Sequence, residues 1–341
     1  MKKKLMPLTM FLLVFAALPL FGQQFELSGG AEELVNEGIE AHDSGDYEAA
    51  VDLYRRALEI EKDHPLIYFE MGFSYITLGD NENALKAADA GITSARERNA
   101  TSLLSILMDL KGSALDNLDR GEEALAVFEE ALALSPAAQI FYNYGLTLYR
   151  LGRFDKALET LAAGLALNHN HPSSTFLLGK ICVENGLKTQ ALLSLCYFLL
   201  LEPASGRSME AYISLEEMLK SSTTIGFKDT GSFTAADLMI SIMSLDIEGD
   251  DVPASDAERF KTKLKRIFTG FGETNKTVSR VPGDELWWDF YVPFFDRIAQ
   301  SSYFETCLRI IGLVADPNAQ EWVDSEEGYD EIDTFFEWLN Q

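Results

Sequence analysis

The chain has 341 residues, of which 54 are acidic and 28 are Lys or Arg, so its formal net charge at pH 7 is −26. A surface this acidic repels phosphate groups, which excludes nucleic acid as a partner. Because 47% of the residues are apolar and 24% are charged, a wholly disordered chain is also excluded, and the length predicts about two domains.

Residues 1–22 have the pattern of a secretory signal peptide. Three lysines at positions 2–4 precede an uncharged, mostly apolar stretch from residue 5 to residue 22. This stretch is close to the shortest that crosses a bilayer, so a retained membrane anchor is the alternative. We predict that the leader is cleaved and the protein exported, to the periplasm or the medium, with no stable membrane insertion afterwards. Residues 23–30 are predicted to be a short linker.

A pattern with a period of about 34 residues follows, from residue 31 to residue 204. An alanine recurs at spacings of 34, 40, 33 and 34 residues, and a glycine lies twelve residues before each alanine. The alanines are Ala50, Ala84, Ala124, Ala157 and Ala191, and the glycines are Gly38, Gly72, Gly112, Gly145 and Gly179. Small residues at these positions let two antiparallel helices approach closely. The pattern predicts five helix pairs, at residues 31–64, 65–98, 105–138, 138–171 and 172–204.

Other positions of the repeat have physical roles of their own. A second glycine is predicted to end the first helix of a pair, where a left-handed backbone is needed, and in the third repeat Asp119 lies near this position. A large apolar residue is predicted to fill the space between the paired helices. The second glycines are Gly45, Gly79, Gly152 and Gly186, and the large residues are Tyr54, Phe128, Leu161 and Leu195. Six extra residues, 96–101, are expected to lengthen the second helix of repeat two or to form a longer loop.

These residues resemble the tetratricopeptide repeat (TPR) pattern, W-x2-L-G-x2-Y followed by A-x3-F-x2-A and P. The match is close but incomplete, since Met108, Phe141 and Thr175 replace the Trp and Ala88 replaces an aromatic residue. The resemblance covers residues 31–204 and implies an all-α solenoid, a right-handed superhelix of helix pairs with a concave groove. Together with the predicted leader, it indicates an exported, bacterial-type protein that acts as an interaction scaffold, and the lack of a catalytic motif predicts that it is not an enzyme.

By the same resemblance, the side chains that line the groove come from the first helix of each pair. The basic residues with which some family members bind a partner's terminal carboxylate are missing, and aromatic residues replace them. Packing between repeats is the alternative role for these aromatic residues, above all for Phe73. We expect a protein or peptide partner that is neutral or basic and apolar at its point of contact. The candidate groove residues are Val35, Ile39, Leu66, Phe69, Phe73, Asp109, Tyr142, Leu146, Tyr149, Arg150, Phe176 and Lys180.

In residues 205–315 the 34-residue repeat pattern is no longer present. Apolar residues still recur at helical spacing, which predicts a helical C-terminal module. The predicted helices are 209–221, 233–245, 254–271 and 284–313, with Ser255 as the cap of the third. Glycines 270 and 272 are expected in the loop before the last helix. That helix contains the richest aromatic segment of the chain, which we assign mainly to a core.

Residues 316–341 form an acidic aromatic tail with nine acidic side chains and no Lys, Arg or His. Phe335, Phe336 and Trp338 share one face of a short helix predicted to begin near Asp330. We expect this helix to pack on its own module. The alternative is that it folds back into the groove as a plug or binds a partner.

The sequence contains no catalytic motif, and we predict neither catalytic residues nor a cofactor. Phosphate-binding Gly loops, H-E-x-x-H, C-x-x-C and G-x-S-x-G are all missing. His169 and His171 lack a third metal ligand, and the acidic residues 246–251 lack the length of a calcium loop. Cys182 and Cys196 are expected to be buried core residues, with a disulfide between them as the alternative.

Two other functions stay open beside the exported scaffold. One is a subunit of a cell-envelope assembly, held at the membrane by an uncut leader. The other is an enzyme with its site in the aromatic C-terminal module, which requires Asp284, Glu285, Asp289 and Arg297 to converge in a deep pocket.

Overall fold

The computed structural model describes residues 27–220, 231–245, 255–278 and 281–340. The predicted leader at 1–22 and the acidic segment at 246–251 lie outside these residues. Every regular element in the described ranges is helical, as the sequence predicts. No helix within these ranges is both long and apolar enough to cross a membrane.

The chain divides into two compact units, Met1–Leu167 and Asn168–Gln341. In the first, successive helices of the described chain pack against each other in pairs joined by short turns. The pairs are α1 (Gly29–Asp43) with α2 (Tyr47–Ile60), α3 (Pro65–Leu78) with α4 (Asn81–Glu97), α5 (Thr101–Asn117) with α6 (Gly121–Leu134), and α7 (Ala138–Arg150) with α8 (Phe154–Leu167).

In three of the four pairs, the glycine of the first helix faces a large side chain of the second helix, whereas Gly72 of α3 faces Leu110 of α5. A Cβ added to Gly112 would lie 2.5 Å from Cε1 of Phe128, and one added to Gly145 would lie 2.8 Å from the Leu161 side chain. Both large side chains are fully buried. The sequence prediction that these glycines permit close helix packing is therefore confirmed.

The turn inside each pair uses a left-handed residue. The backbone φ angle is 89° at Gly45, 78° at Gly79 and 72° at Gly152. In the third pair Asp119 takes this conformation with φ 59°. Asp tolerates left-handed geometry better than most residues because its short polar side chain bonds locally, so the pair forms without a glycine.

The six extra residues between repeats two and three lengthen two helices. Helices α4 and α5 each contain 17 residues, whereas α2, α3, α6 and α8 each contain 14. Asn99, with φ 56°, forms the left-handed turn between them. The expected lengthening of the second helix is thus confirmed, and the next helix is extended by the same amount.

The second unit begins with the fifth predicted helix pair, α9 and α10, and continues through the C-terminal module. A π-helical turn, Leu286–Tyr291, leads directly into α14. The helices are α9 (Pro172–Glu184), α10 (Lys188–Leu201), α11 (Gly206–Lys220), α12 (Thr234–Met243), α13 (Asp256–Thr277), α14 (Val292–Ala299), α15 (Phe304–Ile311), α16 (Ala319–Asp324) and α17 (Glu326–Leu339).

Helix α10 is the centre of the second unit. Every residue from 189 to 200 is buried, and the helix contacts α9, α11, α12, α15 and the π-helical turn. A helix that is hydrophobic all round is stable only when neighbours cover every face. The fifth pair, which the sequence grouped with the other repeats, therefore belongs to the compact unit of the C-terminal module.

The predicted helix 284–313 is broken in the structure. It consists of the π-helical turn, α14 and α15, with a turn at residues 300–303. Ser301 Oγ donates to the Ile298 carbonyl at 2.8 Å and accepts from the Tyr303 amide at 3.1 Å. These side-chain bonds compete with helical backbone bonds, which explains the interruption.

Helix α13 begins as expected but ends later. Ser255 caps it as predicted, because its Oγ accepts from the Glu258 amide at 3.2 Å. Its end was predicted too early, since Gly270 and Gly272 lie inside the helix and not in a loop. A Cβ on Gly272 would collide with the Asp296 carboxyl, so this glycine permits close packing and does not end the helix.

The acidic tail packs on its own module, as expected. Helix α17 begins at Glu326, four residues before the predicted start, because Ser325 Oγ accepts from the Gly328 amide at 3.0 Å. Phe335 is fully buried, and the Trp338 ring lies 5.3 Å from the Tyr303 ring. The aromatic side chains that would have to enter the groove are therefore packed within the second unit.

The three cysteines are buried and unbridged. Cys182 and Cys196 lie on the neighbouring helices α9 and α10, and the core role predicted for them is confirmed. Burial raises the pKa of all three thiols well above the usual range.

Candidate peptide-binding surface

The first helices of the first unit lie side by side. Contacts join α1 to α3, α3 to α5, and α5 to α7. We call the exposed and half-buried side chains of these four helices the first-helix surface. Where the repeat spacing is close to 34 residues, as between α5 and α7, side chains separated by 34 positions lie next to each other on it, as Asp109 and Asn143 do.

Aromatic rings form a row at the α1 and α3 end of the first-helix surface. The Phe69 and Phe73 rings are stacked at 6.4 Å, and the His42 ring stacks on Phe73 at 5.0 Å. His42 Nδ1 lies 2.8 Å from Ser74 Oγ, and burial lowers the pKa of this histidine. The imidazole is therefore neutral at pH 7. Phe73 keeps 37% of its surface exposed, so the row offers an uncharged apolar contact area.

The aliphatic candidates beside this row differ in accessibility. Ile39 and Leu66 are half-buried, and Ile39 packs against the buried cluster of the first two helix pairs. Val35 is only 4% exposed and lies inside that cluster together with Tyr54. Its side chain supports the helix pair and offers no surface for a ligand, so Val35 is left out of the site described below.

Asp109 is the acidic group at the middle of the first-helix surface. Asn143 Nδ2 donates to both of its carboxyl oxygens, at 2.9 and 3.0 Å, which joins α5 to α7. The side chain is half-buried, and burial raises the pKa of Asp109 to about 7. The hydrogen bond from Asn143 opposes this rise but does not cancel it.

The α7 candidates combine aromatic, aliphatic and basic character. Tyr142 and Leu146 are half-buried, and the Tyr149 ring lies 5.9 Å from the Phe154 ring. Arg150 is exposed, but its guanidinium forms an ion pair with Asp116 of α5. Arg150 is therefore neutralised within the protein and does not make this end of the surface basic.

Phe176 and Lys180 lie on α9 of the second unit and are not part of the first-helix surface. The Phe176 ring is 4.9 Å from the Phe198 ring, and the Arg207 guanidinium lies 5.8 Å from its centre. Lys180 Nζ is 3.2 Å from Glu210 Oε1. Both side chains thus have partners inside the second unit.

Comparison with known proteins identifies the helix pairs. A family profile described as TPR repeat matches residues 39–87, and one described as tetratricopeptide repeat matches residues 110–175 and 145–197. The helix pairs are tetratricopeptide repeats. No curated protein matches the chain.

Several solved structures are similar to the chain. One is residues 41 to the end of MamA from Desulfovibrio magneticus RS-1, at 18% identity and a TM-score of 0.41, covering 58% of this chain and all of that one. A thermophilic TPR protein of Thermus thermophilus has 22% identity and a TM-score of 0.44, with 56% and 99% covered. A TPR protein from Parabacteroides merdae ATCC 43184 has 13% identity and a TM-score of 0.43, with 83% and 99% covered.

The two histidines in the turn after the fourth TPR have structural contacts. His171 Nδ1 accepts from the Ser174 amide at 3.2 Å and so caps α9, while the His169 ring stacks on Phe290 at 3.8 Å. Throughout the described ranges, no group of three or more His, Cys, Asp or Glu side chains is arranged to hold a metal ion. The positions of these two side chains are explained by capping and ring packing.

The four residues required by the enzyme hypothesis do not form a deep pocket. Glu285, Asp289 and Arg297 are exposed, and Asp284 accepts a hydrogen bond from Ser232. The Arg297 guanidinium lies 4.7 Å from the Trp338 ring and donates to the Leu339 carbonyl at 3.1 Å. These side chains give the enzyme hypothesis no support.

Sequence reasoning missed one residue of the first-helix surface, Asn143, which holds the Asp109 carboxyl. The signal was present in the TPR period, because Asn143 is 34 residues after Asp109. The Asp116 and Arg150 pair has the same separation. In a TPR array, polar residues one period apart on first helices are therefore candidates for direct contact.

Proposed function

We propose that this protein is an exported TPR scaffold that binds a peptide or a single helix of a partner protein on its first-helix surface. The observation that carries the proposal is the aromatic row on α3, where Phe73 is 37% exposed beside the half-buried Phe69. Aromatic side chains give a large contact area at low cost in conformational entropy, which suits the recognition of a short segment.

The charge of the surface supports a neutral or basic partner with apolar contact residues. The four helices of the first-helix surface carry only two Lys or Arg side chains, Lys111 and Arg150, and both form ion pairs with acidic residues of the chain. Since the whole chain is also strongly acidic, an acidic partner would be repelled on approach.

Selection from a displayed library of random twelve-residue peptides tests the binding function. We expect peptides that bind the full chain and lose about tenfold in affinity when Phe69 and Tyr142 are both changed to Ala, because each loses a large contact area. The matched control is the double change Leu134→Ala and Leu167→Ala. These two apolar side chains are 41% and 57% exposed on second helices, so their loss should change the affinity by less than about twofold.

Two outcomes of this experiment contradict the binding proposal. One is that no peptide is enriched on the folded chain. The other is that enriched peptides bind the Phe69 and Tyr142 variant as tightly as the original protein. Circular dichroism spectra of both double variants check that the helices are intact.

Export is proposed from the leader pattern at residues 1–22, and the mass of the mature protein tests it. We expect a chain that lacks the leader in the periplasm or the medium. A full-length mass in the membrane fraction would contradict export by cleavage. That result would favour the envelope subunit held by its uncut leader.

A further inference from the structure

We propose that Asp109 is the subsite for a Lys or Arg side chain of the bound peptide, with Phe69 and Tyr142 contacting the aliphatic stem of that side chain or its apolar neighbours. The inference rests on the proposed function and adds a basic residue to the definition of the partner. Three observations support it. The Asp109 carboxyl has no cation beside it, aromatic residues occupy the same position in the two neighbouring repeats, and the Lys and Arg side chains of this surface are paired with other carboxylates.

The Asp109 carboxyl is held in place but has no cation beside it. Asn143 donates to both oxygens and fixes the orientation of the carboxyl. An amide carries no charge, and no Lys, Arg or His of the described residues acts on this group. Burial raises the pKa of Asp109 to about 7, which is the effect expected of a carboxyl without a cation beside it. An incoming ammonium or guanidinium group would supply the missing charge.

Two neighbouring carboxylates, Asp89 and Asp116, differ from Asp109 in this respect. Lys111, on the same helix, is 2.7 Å from Asp89 of α4, and Arg150 of α7 is paired with Asp116. Both cations of the first helices are therefore bound to other carboxylates. Glu70 of α3 also has no cation acting on it, but it is only 7% exposed, whereas Asp109 is half-buried and would attract a partner's cation to the middle of this surface.

The repeat register places Asp109 between two aromatic residues. Phe69, Asp109 and Tyr142 occupy the fifth position of repeats two, three and four, and the helices that carry them, α3, α5 and α7, are in contact one after the other. Packed helices lie about 8–10 Å apart. Lys and Arg have long aliphatic stems that cover apolar surface while the charged group reaches a polar partner. An aromatic face also attracts a cation directly.

The chemistry of the site excludes other ligand classes. An anion would be repelled by Asp109, and a divalent metal needs several carboxylate or imidazole ligands. In the ranges that the structure describes, no such group of ligands occurs. A half-buried carboxylate with an aromatic residue at the same position of each neighbouring repeat is suited to a single organic cation on an extended apolar segment.

A double-mutant cycle on the full chain tests the inference with the peptides selected above. The protein change is Asp109→Asn, which keeps an oxygen for Asn143 but removes the charge. The peptide change replaces its Lys with norleucine, which keeps the stem but removes the ammonium group. We expect Lys or Arg to be enriched in the selected peptides and the original protein to bind the norleucine peptide about tenfold more weakly. The Asp109→Asn variant should bind both peptides equally.

Two further variants separate the role of the charge from other effects. Asp109→Glu keeps the charge and should keep a preference for Lys over norleucine. Asp52→Asn removes the same charge from an exposed position on α2 and should leave the preference unchanged. If the Asp109→Asn variant still prefers Lys as strongly as the original protein, the inference is wrong. The binding proposal survives that result provided that the Phe69 and Tyr142 variant loses affinity, so the two failures are distinguishable.

Discussion

Replacing Phe128 with Ala is expected to lower the free energy of unfolding of the first unit by about 3–5 kcal/mol, the usual cost of removing a buried phenyl group. The ring is fully buried between α5 and α6, with the Tyr144 ring 6.2 Å away. Its loss leaves a cavity next to Gly112 that the rigid helix pair cannot close. Urea unfolding followed by far-ultraviolet circular dichroism measures the change, and hydrogen exchange of the α5 and α6 amides locates it.

The change Gly112→Ala provides a matched control for this prediction. In the original protein the added methyl group would lie 2.5 Å from the Phe128 ring, so the single change is expected to be destabilising. In the Phe128→Ala variant the added methyl group enters the cavity, so Gly112→Ala should lower the free energy of unfolding much less. If the losses in unfolding free energy of the two single variants simply add in the double variant, Gly112 and Phe128 do not pack against each other as described.

Replacing Glu70 with Gln is expected to stabilise the protein at pH 8 by about 3 kcal/mol, with little effect at pH 4. Glu70 is 7% exposed, and burial raises its pKa from the ordinary value of 4.5 to about 7, with Asp43 of α1 adding to the rise. Tyr54 of α2 also faces this region, and its own pKa is raised by burial and by Glu70.

The direction of the pH effect follows from linkage. The folded state binds the Glu70 proton more tightly than the unfolded state does. The contribution of Glu70 to stability is therefore complete below about pH 4.5 and is lost as the pH rises through about 7. Gln cannot ionise, so the variant avoids this loss. Thermal unfolding of both proteins from pH 4 to pH 8 measures the difference.

The exposed residue Glu130 of α6 serves as the control for Glu70. Its replacement by Gln removes the same charge from the surface, and the difference from the original protein should stay nearly constant over this pH range. An equal gain at pH 8 for both variants would show that general charge repulsion, and not the burial of Glu70, limits stability.

The helix pairs of the first unit could be predicted from the sequence because their determinants are local. A glycine such as Gly112 and a large residue such as Phe128 lie sixteen positions apart, which is enough to specify one helix, a turn and the facing position of the next. The left-handed turn at Asp119 shows that the backbone geometry of the repeat persists when the glycine is replaced.

The position of α10 could not be predicted from the repeat period. The period describes how a helix contacts its neighbours in the chain, whereas α10 is also covered by α12, by α15 and by the π-helical turn, which follow much later in the sequence. A signal was nevertheless present, because residues 191–201 are almost continuously apolar and a surface helix would show a polar face.

The candidate site was predictable in its residue types but not in its pairings. The aromatic residues Phe69 and Phe73 followed from the repeat register and are accessible in the structure. Val35 was predicted from the same register but is buried. Its position lies at the interface of a helix pair, where removing an apolar side chain from water lowers the free energy of the folded state. The bond between Asp109 and Asn143 joins two repeats, which a pattern within one repeat does not reveal.

The burial of α10 determines where this chain can be divided. A fragment that ends with the last repeat-like residue, near 204, would retain α10 but lose α12, α15 and the π-helical turn, and a broad strip of leucine and phenylalanine side chains would face water. Such a fragment should self-associate. A fragment that ends at Leu167 follows the boundary between the compact units. The repeat pattern and the first compact unit thus end at different residues in this protein, and trimming it by its repeat pattern would cut through a core.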